Sequence, residues 1–317
     1  MFLSFFVRQL FCACVGAVFL CTAAQAGPLR DRVLERRAAQ QEQGLDDDSP
    51  AGTVTLPAGA RVLRDVAYGP DALQRMDVYL PAQPVAAPVL FMVHGGAWRV
   101  GDKGAAAVVQ NKVARWVGQG FIFVSVNYRL LPQADVRVQA QDVARALAVA
   151  QQQAAGWGGD AGKFILMGHS AGAHLVALLD AAPDLAQDVR PWLGTVALDS
   201  AALDVVQIMQ ARHMRLYDTA FGADPEFWRK VSPAHVLQAS TAPLLAVCST
   251  RRSDSCAQAR QFVDRASALG VRASVLGQDL SHRDINQQLG LDGGYTRAVE
   301  SFMAGLDAGV QRLLAAH

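Results

Sequence analysis

The sequence predicts an α/β protein with a mostly parallel central sheet and helices on both of its faces. Two observations carry this. Residues 89–93 form an unbroken apolar run between Pro88 and Gly95-Gly96, the pattern of a strand buried on both sides. From residue 88 onward such runs alternate with stretches of helical spacing, which implies parallel strands joined by covering helices. With 317 residues, 51% of them hydrophobic, the chain can bury a substantial core.

Two short strands come first, at 62–68 and 76–80, separated by Gly69-Pro70. After the run at 89–93 come a helix at 105–117, a strand at 121–126 and a helix at 136–155, which ends at Gly156-Trp157-Gly158-Gly159. A strand at 164–167 leads into a helix at 171–179. Further strands fall at 195–198, 244–247 and 272–276, with helices at 257–269 and 294–314. Residues 201–241 interrupt the alternation, carrying Met209, Met214, Tyr217, Phe221, Phe227 and Trp228 among polar residues. This segment reads either as a lid-like insertion over the carboxyl edge of the sheet, where such folds bind ligands, or as an ordinary packed helical layer.

The first 26 residues differ. Arg8 is their only charge, residues 10–21 are apolar, and Ala24 and Ala26 precede Gly27 with small-x-small spacing. They read as a signal peptide for export to the periplasm or the medium, leaving no stable membrane span once cleaved. Counted from Phe2 the apolar stretch approaches membrane-spanning length, so an uncleaved anchor is the alternative. Residues 27–60 read as a loosely ordered tail, with a charged helix at 30–43 and a break at 46–50, before a domain at 61–317. Without Arg8 the chain holds 28 basic and 28 acidic residues, so no nucleic-acid partner is expected. Cys248 and Cys256 remain beyond the signal. An oxidising compartment favours a bond between them, and two buried free thiols are the alternative.

Ser170 sits in Gly168-His169-Ser170-Ala171-Gly172. A bare G-x-S-x-G string arises by chance in about one chain in ten of this length, so context decides. Here an apolar strand comes directly before it and a small-residue helix start directly after, the strand-turn-helix that exposes a nucleophilic hydroxyl. A serine that merely caps the helix is the competing reading. A serine needs a neighbour to take its proton. Of seven histidines, His282 lies just after the last strand, the place expected of the base in the order Ser…Asp/Glu…His. The imidazole in turn needs a carboxylate. Asp254 is the carboxylate of the loop after the strand at 244–247 and is the expected acid, with Asp199, Asp204 and Asp279 as rivals.

A tetrahedral oxyanion must be met by fixed donors. His94-Gly95-Gly96-Ala97-Trp98 follows the strand at 89–93, and its glycines let backbone approach a substrate closely. The expected donors are the N–H groups of Gly95 or Gly96 and of Ala171. Trp98 and His169 are assigned to the substrate-binding wall, His169 turned away from the hydroxyl and Trp98 serving either the pocket mouth or packing.

The H-G-G-A-W stretch at 94–98, Val126-Asn127-Tyr128-Arg129-Leu130 and Gly168 to Gly172 together resemble α/β-hydrolases of the esterase/lipase type. Within these, His94 to Trp98 looks most like kynurenine formamidase-like and carbohydrate acetyl esterase-like enzymes, which share the H-G-G-x-W form. Hormone-sensitive-lipase-like esterases usually carry a third glycine in place of Ala97. Asp254-Ser255 with Gln258-Ala259 also resembles the acid loop of the formamidase-like group. The resemblance covers about 61–317, fades at 201–241, and implies the α/β-hydrolase fold with structural roles for Tyr128 and Arg129. The expectation is a serine carboxylic-ester hydrolase acting on small or medium esters without metal or organic cofactor. An amidase or formamidase with the same residues comes second, and a catalytically silent fold used for binding third. With His282 as base, activity is expected to fall below about pH 6.5.

Overall fold

The computed structural model describes residues 54–200 and 202–316. The signal segment at 1–26, the helix expected at 30–43 and the break at 46–50 lie outside them. Among the described residues eight strands form one sheet in the order β1-β2-β4-β3-β5-β6-β7-β8. They are β1 Arg61–Ala67, β2 Arg75–Leu80, β3 Ala87–Val93, β4 Ile122–Val126, β5 Gly159–His169, β6 Gly194–Leu198, β7 Leu244–Ser249 and β8 Ala273–Gln278. β2 pairs antiparallel with β1 and β4; every other pairing is parallel.

The unbroken apolar run of β3 is explained by its position, because both of its faces are covered. Val89, Phe91 and Val93 enter one core cluster with α2 (Val136–Gln153) and α3 (Ala171–Ala181). Leu90 and Met92 enter the other with α1 (Ala106–Lys112) and the π-helical turn Val113–Val117 that continues it. Each fully buried side chain of this size contributes about 1.5–3 kcal/mol.

Residues 202–241 hold four short helices: α4 Val205–Gln210, α5 Arg215–Phe221, α6 Pro225–Lys230 and α7 Pro233–Val236. Val205, Met209, Tyr217, Phe221 and Val231 are buried in the first core cluster, so this stretch is packed onto the domain. After β7 comes α8, Ser255–Ala268. After β8 comes α9, His282–Gln287, a helix the apolar spacing does not announce; Ser281 caps it, accepting from Asp284 N. The long C-terminal helix expected at 294–314 is two, α10 Gly294–Ala304 and α11 Ala308–Ala315. Asp307 breaks it by capping the Gly309 and Val310 N–H groups. The ordered domain also begins earlier than residue 61, since Val54 is buried in the second cluster and Thr55 N donates to Gln110 Oε1.

Asp180, near the end of α3, is buried without a countercharge. Oδ1 accepts from Ala242 N at 3.0 Å, while Oδ2 has no hydrogen-bond partner among the described residues. Burial pushes its carboxyl up to about 8. The folded state therefore keeps a proton that the unfolded chain releases near pH 4, and stability falls as pH rises between these values. Asp180→Asn should flatten that slope, so that urea midpoints at pH 5 and pH 8 differ less in the variant than in the native chain.

Candidate active site

Ser170 stands between β5 and α3 with φ 55° and ψ −116°, a left-handed backbone that a side chain resists. The surroundings impose it. A Cβ on Gly168 would lie 2.3 Å from Gly172 O, and one on Gly172 would lie 2.2 Å from Val93 O. Strand and helix thus touch backbone to backbone, which is why both flanking positions are glycine. The Ser170 hydroxyl makes no capping bond to α3, so the helix-cap reading fails.

His282 opens α9. Its Nδ1 lies 2.6 Å from Asp199 Oδ2. The acid beside it is therefore Asp199, not Asp254. The sheet explains this: His169 pairs with Leu198, so β5 and β6 release Ser170 and Asp199 side by side at the same carboxyl edge. Asp199 also takes a left-handed turn, φ 56°. Asp254 instead caps α8 through Ser255 N, and its Oδ2 meets Arg252 Nη2 at 3.3 Å. Its side chain is 42% exposed, whereas that of Asp199 is fully buried.

The loop after β7 converges on Asp199. Ser249 N donates to Oδ1 at 2.6 Å, the Ser255 hydroxyl donates to the same oxygen, and Arg252 Nη1 lies 3.0 Å from Oδ2. A Cys248–Cys256 disulfide closes this loop at its two ends. Burial opposes the charge on Asp199. The His282 hydrogen bond and the Arg252 cation outweigh it and hold the carboxyl well below the usual carboxylate range. An ionised Asp199 must accept from Nδ1–H, which leaves the lone pair on Nε2; that nitrogen is buried and has no hydrogen-bond partner among the described residues. Burial lowers the His282 imidazole to about 4, His169 and Arg252 add to this, and Asp199 opposes it.

A cleft of about 300 Å³, counting its open mouth, is lined by Ser170, Ala171, Ala97, Trp98, Asp199, Ser200, Ala202, Leu216, Tyr217 and Arg252. From the glycine turn, Ala97 and Trp98 reach the cleft, while Gly95 and Gly96 are not among its lining residues. Gly96 is needed for the turn itself: its φ is +108°, and a Cβ there would lie 2.1 Å from Val100 O. Trp98 both lines the cleft and packs, with ring contacts to His174, Tyr217 and Phe221. Its Nε1 donates to His174 Nδ1 at 3.2 Å, and His174 Nε2 donates to Val231 O at 2.7 Å. Burial keeps His174 neutral by lowering it to about 4, as an acceptor at Nδ1 must be. His169 is not part of the substrate-binding wall. It is fully buried, donates from Nε2 to His282 O at 3.0 Å, and packs its ring 4.5 Å from that of His282. Tyr128 donates to His94 O, and Arg129 pairs with Asp142, both away from the cleft.

Residues 76–264 match the sequence profile of the BD-FAE family. The chain belongs to the BD-FAE family. The BD-FAE match takes in the glycine turn, Ser170, Asp199 and the disulfide loop, and ends before His282. Among relatives, isoprenylcysteine alpha-carbonyl methylesterase of Arabidopsis thaliana is 29% identical over 258 residues, covering 74% of this chain and 59% of that protein. Kynurenine formamidase of Danio rerio is 29% identical over 160 residues, covering 50% and 52%. The chain thus spans less than two thirds of either relative. Esterase B from Lactobacillus rhamnosis superposes with a TM-score of 0.67 at 18% identity, covering 90% of this chain and 97% of that one, which shows the shared α/β-hydrolase fold.

Three outcomes follow for this BD-FAE site. Asp199→Asn should lower kcat by about 10⁴, the cost of losing the carboxylate behind a catalytic imidazole. Asp254→Asn should cost less than about tenfold, since that residue touches the imidazole only through Arg252; steady-state kinetics of the two variants compare them directly. The acid limb of kcat/KM should fall near pH 4 rather than near 6.5, because the base is active only while His282 is unprotonated.

Proposed function

We propose that the protein is a serine hydrolase that cleaves small or medium carboxylic esters through an acyl-enzyme on Ser170. The observation that carries this is the His282–Asp199 hydrogen bond, which leaves on the imidazole a buried Nε2 without a hydrogen-bond partner among the described residues, in a ring packed 4.5 Å from that of His169, the residue before the strained Ser170. Ser170 Oγ attacks the ester carbonyl carbon while His282 Nε2 takes its proton. The carbonyl oxygen becomes an oxyanion, met by the Ala171 N–H at the start of α3 and by N–H groups of the 95–97 turn. The tetrahedral centre collapses, His282 returns the proton to the departing alcohol, and water repeats the cycle to release the acid.

A formamidase reading uses the same atoms with an amine as leaving group, and the likeness to kynurenine formamidase favours keeping it. Export is part of the proposal: the apolar first 26 residues and the Cys248–Cys256 bond both suit an oxidising compartment.

The cleft is walled by Trp98, Leu216 and Tyr217, which limits acyl length. p-Nitrophenyl acetate and butyrate should turn over about tenfold or more faster than the octanoate, a loss set by steric exclusion from the pocket. Ser170→Ala should remove about 10⁴-fold or more of the rate. Retained activity in that variant, or an octanoate preference, would overturn the proposal; faster cleavage of an N-formyl arylamine than of any ester would select the formamidase reading.

A further inference from the structure

The guanidinium of Arg252 is the feature that acyl transfer by serine, histidine and aspartate does not call for. It lies in the loop after β7, with a side chain only 10% exposed, and it lines the cleft beside Ser170. Nη1 sits 3.0 Å from Asp199 Oδ2, 3.3 Å from Asp199 O and 2.8 Å from His282 Nδ1, while Nη2 reaches Asp254 Oδ2 at 3.3 Å. Nη1 carries protons only, and so does Nδ1 when it donates to the ionised Asp199. The cation therefore bonds to Asp199 and faces the ring's own N–H across 2.8 Å.

We propose that Arg252 is a positioning residue for this site: it clamps the Asp199 carboxylate against His282 and, as a fixed positive charge beside Nδ1, keeps the imidazole unprotonated in acidic medium. The inference rests on the serine hydrolase reading above. A carboxylate alone would favour imidazolium, since an opposite charge within a few ångströms stabilises the charged form. Burial is the largest influence on the ring; Arg252 opposes the pull of Asp199 while keeping that carboxylate ionised and oriented. Its own charge is secure, because Asp199 and Asp254 raise its pKa against the cost of burial.

Titratable and charged groups surround His282 from several elements, among them Lys112 at the end of α1, whose Nζ bonds Asn286 O at 2.6 Å further along α9, and Arg283, the next residue of α9. His169 comes from β5, Asp199 from the end of β6, and Arg252, backed by Asp254, from the loop after β7. Tyr217 of α5 lines the cleft with Asp199, Tyr295 of α10 donates to Ile285 O at 2.9 Å, and burial holds both above the usual tyrosine range, so they stay neutral. On α9 itself, Asp284 is engaged by the Ser281 hydroxyl at 2.6 Å. Arg252 is the permanent cation that lies against Nδ1, and its removal leaves Asp199 as the charge in direct contact with that nitrogen.

The test is the pH profile of kcat/KM on p-nitrophenyl acetate for the native chain, Arg252→Gln, Arg252→Lys and Asp254→Asn. Each is first checked for a cooperative melt and for labelling of Ser170 by a fluorophosphonate. The glutamine variant should move the acid limb up by about one pH unit or more, the scale of a lost neighbouring charge. The lysine variant should keep the limb near its native place at reduced kcat, and Asp254→Asn should leave it in place or lower it. A glutamine profile that is uniformly slower with an unmoved limb overturns the proposal, because a merely structural arginine would give that result. If the glutamine variant does not fold, an NMR titration of the His282 ring in the native chain and in Arg252→Met decides. A midpoint higher by about one unit or more in the variant supports the clamp, and a smaller shift overturns it. Absence of both labelling and turnover at every pH would sink the hydrolase reading instead, while the ring midpoint would still report on Arg252.

Discussion

The site depends on one close crossing of backbone. β5 and α3 meet at Gly168 and Gly172 with no room for a side chain at either, and Gly172 lies against the carbonyl of Val93 at the end of β3. That contact forces Ser170 into a left-handed conformation between them. The strain, of order 1–3 kcal/mol for a residue so placed, is held by the two central strands of the sheet and by the Ser170 N–H bond to Leu198 O. Because β3 also launches the glycine turn, the same crossing fixes Ala97 relative to Ala171, and with it the donors that frame the cleft.

From that crossing the charges follow along the carboxyl edge. β6 ends beside β5 and supplies Asp199; β7 ends beside β6 and supplies the loop whose Ser249, Arg252 and Ser255 hold that carboxylate; β8 leads into α9 and His282. A buried carboxylate survives only when its lone pairs are met by donors, and here one disulfide-closed loop supplies three of them. The loop after β7 thus carries no acid for the imidazole and instead holds the acid of its neighbour in place.

Much of this was legible in the sequence. Apolar runs bounded by glycine and proline located the strands, because strands covered on both faces leave no polar alternation to blur them. Ser170 and His282 were legible because strand, turn and helix around one, and the last strand before the other, leave few other histidines or serines in position. The acid was not. Both Asp199 and Asp254 satisfy the chain order, and the deciding fact, that β5 and β6 end in the same register, is a property of pairing. One signal was present: Arg251-Arg252 places two cations beside Asp254, an environment better suited to engaging that carboxylate than to freeing it for histidine. The helix break at Asp307 was also readable, as a capping residue just after Gly305. His169 looked like a cleft residue only by adjacency, and the alternation of the strand sends it behind His282.

His174 has a wider effect than its place in the helix suggests. Through one ring it joins three segments far apart in sequence: the tryptophan of the glycine turn, the helix carrying the nucleophile and the carbonyl of Val231. The short helices around the cleft are therefore tethered to the glycine turn that follows β3. A change in the packing of these helices is thus transmitted through His174 to the glycine turn. Leu216 and Ala202 line the cleft without taking part in that tether, so the shape of the wall can change there while the tether stays intact.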